Sequence, residues 1–233
     1  MDKQSIEKAA RSIQFEIYSN RDLLFPMGVP PVLSMFEPRF VAEYYGLSFE
    51  LRSRLPAENT EDFEAAGLLD RRRNTIVIST AFSQAHQRFT AGHELGHYVL
   101  HGQLGLATAH RDRPLNGSPQ RYRSPLEAEA DHFAACLLMP RRAVEKAFVE
   151  RFGTKVPLAL TEAVAFHLGV VNINPLFSAQ AGTAAFALVV ANARRFVGRQ
   201  FSGSLAEHFG VSPSAMAYRL QELQLIAEYL HSD

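Results

Sequence analysis

Apolar positions recurring every three to four residues from Ser5 to Tyr18 predict an amphipathic helix at the start of the chain. The proline-rich run Pro26-Met27-Gly28-Val29-Pro30-Pro31 interrupts that pattern, which resumes over Pro38 to Tyr45. The period then shortens. Leu47-Ser48-Phe49-Glu50-Leu51-Arg52 alternates apolar and polar, and Asn74-Thr75-Ile76-Val77-Ile78-Ser79 is a β-branched run after a polar loop, so both are expected as strands of a small sheet. A helical period returns from Ser83 to His101, with Gly102 as its stop. Residues 102–124 read as a long loop carrying Arg111, Arg113, Arg121 and Arg123. Ser124-Pro125-Leu126-Glu127 then opens a second helix in a capping-box arrangement, and Pro140 closes it. Beyond that proline the pattern is helical throughout, with segments expected near 141–152, 160–168, 179–199, 203–209 and 213–230. These changes of period divide the chain into a helical N-terminal extension (1–46), an α+β domain (47–140) and an all-helical C-terminal region (141–233).

Composition narrows the class of protein. With 233 residues, 47% of them hydrophobic, the chain can bury a core without disulfides or a structural metal, so a metal site would serve chemistry. The single cysteine, Cys136, lies in an apolar run and reads as a buried small residue. The N-terminal residues lack the apolar run of a secretory signal, and the longest apolar stretch, Ala184 to Ala191, is too short to cross a bilayer. A cytoplasmic location and no membrane association are therefore expected. The formal net charge of +0 removes bulk attraction to nucleic acid, which leaves only a local patch for such a role.

The chemistry concentrates in Arg88-Phe89-Thr90-Ala91-Gly92-His93-Glu94-Leu95-Gly96-His97-Tyr98-Val99-Leu100-His101, which contains the pattern HExxH. Residues four apart share one helix face, so His93 and His97 can both aim a ring nitrogen at one zinc ion. Glu94 flanks the ion and is placed to act as the general base on a zinc-activated water. His101 continues the row, but on a continuous helix it stands about 12 Å along the axis from His93, too far to share the ion, and reads as a surface or substrate-side residue. Gly92 and Gly96 each cost a helix interior about 1 kcal/mol relative to alanine, so their smallness implies the close approach of another helix.

A catalytic zinc needs a third protein ligand, and Glu127-Ala128-Glu129-Ala130-Asp131 supplies candidates. Glu127 is favoured because Asp131, one turn later on its face, can hydrogen-bond the far nitrogen of a ligating histidine. Glu129, the competitor, points roughly 200° around the helix from Glu127. Tyr98, Tyr122 and His132 are candidates for a donor to the oxyanion, and an extended substrate is expected to pair with the edge of the strand Ile76-Val77-Ile78.

The HExxH run, followed by Glu127-Ala128-Glu129-Ala130-Asp131-His132-Phe133-Ala134-Ala135-Cys136-Leu137-Leu138-Met139-Pro140, resembles the ImmA/IrrE family of zinc metallopeptidase-like proteins, over about residues 45–140 and more loosely to 225. The resemblance implies a zincin-like fold, zinc held by His93, His97 and Glu127, Glu94 as base, and a helix-turn-helix transcriptional repressor as the protein substrate, cleaved in a stress or mobile-element response. The family usually has alanine where this chain has Gly92.

The segment 203–222 has helix-turn-helix spacing, with Ala206 at the crossing, Gly210 in the turn, and Met216 and Leu220 on the packed face. Arg219 is the only basic residue between Val211 and Glu222, so DNA binding is weakly supported and packing or partner binding is favoured. The competing functional class is a regulatory binding protein that sequesters a repressor, or touches DNA through this unit, without hydrolysis. Arg71-Arg72-Arg73 reads as a solvated cluster.

Overall fold

Ile76, Val77 and Ile78 show no polar alternation because both faces of their strand are covered. In the computed structural model, which describes residues 1–55, 63–102, 108–114, 124–177 and 182–227, the first strand is β1 (Ser48–Arg52). It is followed by β2 (Phe63–Asp70), β3 (Thr75–Ser79) and β4 (Thr108–Pro114). They form one sheet in the order β1-β3-β2-β4. β1 runs parallel to β3, whereas β2 pairs antiparallel with both β3 and β4.

This order corrects the expected role of Ile76-Val77-Ile78. Both edges of β3 are already paired, so no substrate strand can add there, and the outer strands are β1 and β4. β2 lies in what reads as a polar loop, since its centre is Ala65-Ala66-Gly67 rather than β-branched residues. The strand is small-sided because a helix lies on it: a Cβ at Gly67 would meet Thr90 Cγ2 at 2.4 Å. β4 is equally hidden in sequence, a polar Thr-Ala-His-Arg-Asp-Arg-Pro stretch defined by its ladder to β2.

The chain divides into two compact units, Met1–Leu138 and Met139–Asp233. In the first, helix α1 (Lys3–Ser19) is capped by Asp2, whose carboxylate accepts from the Ser5 amide at 2.9 Å. A short α2 (Arg21–Leu24), a 3-10 turn (Val32–Phe36) and α3 (Pro38–Tyr44) follow. The functional helices are α4 (Gln84–Leu100) and α5 (Pro125–Leu138). One core joins Ile6, Ile13 and Ile17 of α1 to Val41, Leu47, Leu69, Ile76, Leu95, Phe133 and Leu137. The buried Gln14 amide donates to the Cys136 and Leu137 carbonyls at 3.0 and 3.1 Å, which satisfies acceptors that the end of α5 leaves unpaired. Cys136 is buried, as its apolar neighbours imply.

The second unit contains α6 (Arg141–Phe152), α7 (Glu162–Leu168), a 3-10 turn (Asn174–Phe177), α8 (Gly182–Asn192), α9 (Leu205–Phe209) and α10 (Pro213–Glu222). It is not all-helical. The helix expected over 179–199 stops at Asn192, and a hairpin of β5 (Arg195–Phe196) and β6 (Arg199–Gln200) follows. Its two loop residues, Val197 and Gly198, have φ of 45° and 73°, the primed-turn geometry that reverses a strand in two residues. Gly210 ends α9 in the left-handed region, and Ala206, Met216 and Leu220 are buried.

Arg219 is part of the packing rather than a cation on the surface. It is 1% exposed, with Nε donating to the Met139 carbonyl at 3.1 Å and Nη1 to Glu222 Oε2 at 2.6 Å, so it cannot reach a phosphate. The exposed positions of α10 include Ser214 and Tyr218. Arg219→Ala should therefore act on stability, lowering it by about 2–3 kcal/mol through loss of charge-assisted bonds in a buried setting. Urea unfolding checks this, and a loss below about 0.5 kcal/mol, the scale of a neutral surface change, would contradict it. No described helix is long and apolar enough to cross a membrane.

Candidate metal centre

Two helices meet here because neither carries bulk at the crossing. A Cβ at Gly92 would lie 3.2 Å from Ala134 Cβ, and one at Gly96 would lie 3.0 Å from both Cα and O of Ala130. The contacts run in opposite directions along the two chains, so α4 and α5 are antiparallel and nearly touch by their backbones. This is the close approach implied by the two glycines. It brings the first turn of α5 beside His93 and His97.

Three side chains converge there. His93 Nε2 is 3.2 Å from Glu127 Oε2, His97 Nε2 is 3.1 Å from Glu127 Oε1, and the two Nε2 atoms are 3.0 Å apart. The set fits a tetrahedral metal ion, since bonds of about 2.0–2.1 Å at tetrahedral angles place neighbouring donors about 3.3 Å from each other. Proton bookkeeping agrees. His93 Nδ1 is 2.9 Å from Asp131 Oδ1, and a carboxylate only accepts, so the ring proton sits on Nδ1 and the Nε2 lone pair faces the Glu127 carboxylate. For neutral rings, lone pairs facing one another across 3 Å repel unless a cation lies between them, and a metal ion ligated by all three side chains meets that need. Among the described residues, this is the only cluster of at least three His, Cys, Asp or Glu side chains close enough to hold a metal.

The electrostatics run in the same direction. Burial pushes the Glu127 carboxyl up, but the two imidazoles of His93 and His97 against it outweigh that and hold the group below the usual carboxylate range. Burial pushes His97 down, against the pull of Glu127, and so favours the neutral ring that a metal requires. Glu127 keeps about a third of its side chain exposed, whereas both histidines are buried, so the centre opens to solvent on the side of the carboxylate.

Glu94 is fully buried and lies against the sheet. A Cβ at Gly67 of β2 would stand 3.2 Å from Glu94 Oε1, so the bare strand backbone makes the room this carboxylate occupies. Gly67 had no signal in the sequence beyond interrupting an apolar run.

Several expected placements change. His101 is not on the surface: it is 2% exposed, with Nδ1 3.0 Å from His97 Nδ1 and Nε2 3.0 Å from Glu129 Oε2. Glu129 thus contacts His101, and Glu127 alone of the two reaches the ligating nitrogens. Arg71 is not solvated like its neighbours: Nη2 donates to the His97 carbonyl at 2.6 Å, a cation at the last turn of α4. Of the oxyanion candidates, Tyr98 packs against the core, His132 places Nε2 3.3 Å from the Lys3 carbonyl of α1, and Tyr122 lies outside the described residues. Neither Tyr98 nor His132 is among the residues that converge on the donor set.

A helix-borne histidine pair and a carboxylate from an antiparallel partner helix beside a small sheet form a candidate metal centre. The chain belongs to the peptidase family described as the IrrE N-terminal-like domain, whose model matches residues 51–171. It is also similar to the radiation response metalloprotease IrrE of Deinococcus radiodurans, 33% identical over 87 residues, which are 37% of this chain and 25% of that protein. The match covers about a quarter of the relative's length.

Proposed function

We propose that this chain is a zinc-dependent endopeptidase of the ImmA/IrrE type, cytoplasmic, acting on a helix-turn-helix transcriptional repressor in a stress or mobile-element response. One observation carries the reading: the Nε2 atoms of His93 and His97 lie 3.0 Å apart and each meets a Glu127 carboxylate oxygen at 3.1–3.2 Å, with Glu94 on the helix that bears the histidines.

His93, His97 and Glu127 would hold the ion, which when bound supplies an acidified water and polarisation of the scissile carbonyl. Asp131 keeps the proton of His93 on Nδ1 and so keeps Nε2 free for ligation. Glu94 would take a proton from the attacking water as its oxygen adds to the carbonyl carbon, and then pass that proton to the amide nitrogen, so that the C–N bond of the tetrahedral adduct breaks and the amine leaves. The peptidase family supports a protein substrate, and the repressor is what the resemblance of the two motifs to the ImmA/IrrE family implies.

Incubating the zinc-loaded protein with helix-turn-helix repressors of its source organism should yield two fragments of one of them by mass spectrometry. Cleavage should stop on chelation and return with zinc. Repressors all left intact after prolonged incubation with protein that holds one equivalent of zinc would overturn the hydrolytic reading.

A further inference from the structure

Resting on the metal-site reading above, we propose that His101 and Glu129 are positioning residues for His97, forming a carboxylate–imidazole–imidazole chain that fixes which nitrogen of His97 faces the ion. The two ligating histidines are held differently. His93 meets a carboxylate directly, Asp131 at 2.9 Å. His97 meets an imidazole instead, His101 at 3.0 Å between Nδ1 atoms, and that imidazole meets Glu129 at 3.0 Å.

The order of protons along the chain follows from chemistry. Glu129 is an acceptor, so His101 carries its proton on Nε2 and donates it to Oε2. His101 Nδ1 is then a lone pair, and the only hydrogen bond possible across the 3.0 Å gap has His97 Nδ1–H donating to it. That leaves the His97 Nε2 lone pair directed at the donor cluster. Every atom has one role, and neither ring needs a charge. The remaining oxygen of Glu129, Oε1, is in contact with the amino group of Met1.

The spacing explains why a relay is used. α5 delivers three carboxylates within five residues: Glu127 faces the ion, Asp131 reaches His93, and Glu129 points around the helix from Glu127. The imidazole of His101, one turn beyond His97 with ring centroids 5.1 Å apart, spans the gap that Glu129 leaves. A buried histidine kept only for packing would need none of this ordering. With both rings 2–3% exposed, water cannot substitute for either partner.

Zinc affinity, measured by competition with a chromophoric chelator alongside the thermal midpoint of the metal-free protein, separates positioning from packing. His101→Leu retains bulk but offers no acceptor, and should bind zinc about 10–100-fold more weakly. His101→Asn places its amide oxygen near the former Nδ1, can accept from His97, and should recover most of that loss. Glu129→Met lets the His101 proton move to Nδ1, where two N–H groups would face each other, and should weaken zinc in the same direction; it also serves if His101→Leu fails to fold. Parent-like affinity in His101→Leu and Glu129→Met, or equal losses in His101→Leu and His101→Asn, would overturn the relay while leaving the metal site standing. A parent protein that binds no zinc would instead overturn the metal-site reading, and the relay with it.

Discussion

Glu94→Gln is expected to leave zinc content and partner binding unchanged and to slow hydrolysis by about 10²–10⁴-fold, the usual contribution of a positioned general base. Glu94 lies outside the set of donor atoms that His93, His97 and Glu127 bring together, so removing its charge takes nothing from the ion. The substitution is nearly isosteric. That matters because the side chain is fully buried and packs close to Gly67, leaving little room for a different shape. Single-turnover cleavage should show the loss in the chemical step, with half-saturating substrate concentration little changed, as when an interaction made only in the transition state is removed. If Glu94→Gln relieves repression in cells as well as the parent, sequestration rather than cleavage is the mechanism.

The helices of the centre were legible because ligand chemistry and helix geometry impose a spacing that few other constraints imitate. His93 and His97 are four apart, and Glu127 and Asp131 repeat that interval on the facing helix. Gly92 and Gly96 could be read as a contact strip because glycine inside a helix is costly without one. The sheet was only half legible. β3 declared itself by β-branching, but that run marks an interior strand, and the two unpredicted strands, β2 beside it and β4 beyond β2, are small-sided or polar for reasons that lie in α4 and the ladder. Arg71 misled because an arginine within a run of three looks solvated in sequence, whereas here it donates to the His97 carbonyl of a distant helix. His101 misled differently. The distance argument that excludes it from the ion is compatible with what it does in the structure, which is to contact His97 rather than a metal.

Gly96→Val should damage stability and chemistry together, and the pairing of the two effects is the informative result. A residue other than glycine gains helix propensity, but valine gains only a few tenths of a kcal/mol over glycine. Against that stands overpacking: even the first carbon would lie 3.0 Å from Cα and O of Ala130, which are backbone and cannot rotate away, and the two γ-methyls extend further into the partner helix. Such crowding typically costs 1–3 kcal/mol, so stability should fall by about 2 kcal/mol and the thermal midpoint by several degrees. Relief requires α5 to move off α4. Ala130 is less than one turn from Glu127, so the same movement draws the carboxylate from atoms it now meets at 3.1 and 3.2 Å. Zinc affinity should therefore fall by at least tenfold, even at temperatures where the variant is fully folded. Gly92→Ala provides the control, because its new carbon meets the Ala134 side chain at 3.2 Å, a contact that a small shift relieves, and it gains about 1 kcal/mol of helix propensity. It should melt near the parent and keep its zinc. A Gly96→Val protein with lowered stability but parent affinity would mean that Glu127 is held in place by something other than the contact of these two helices.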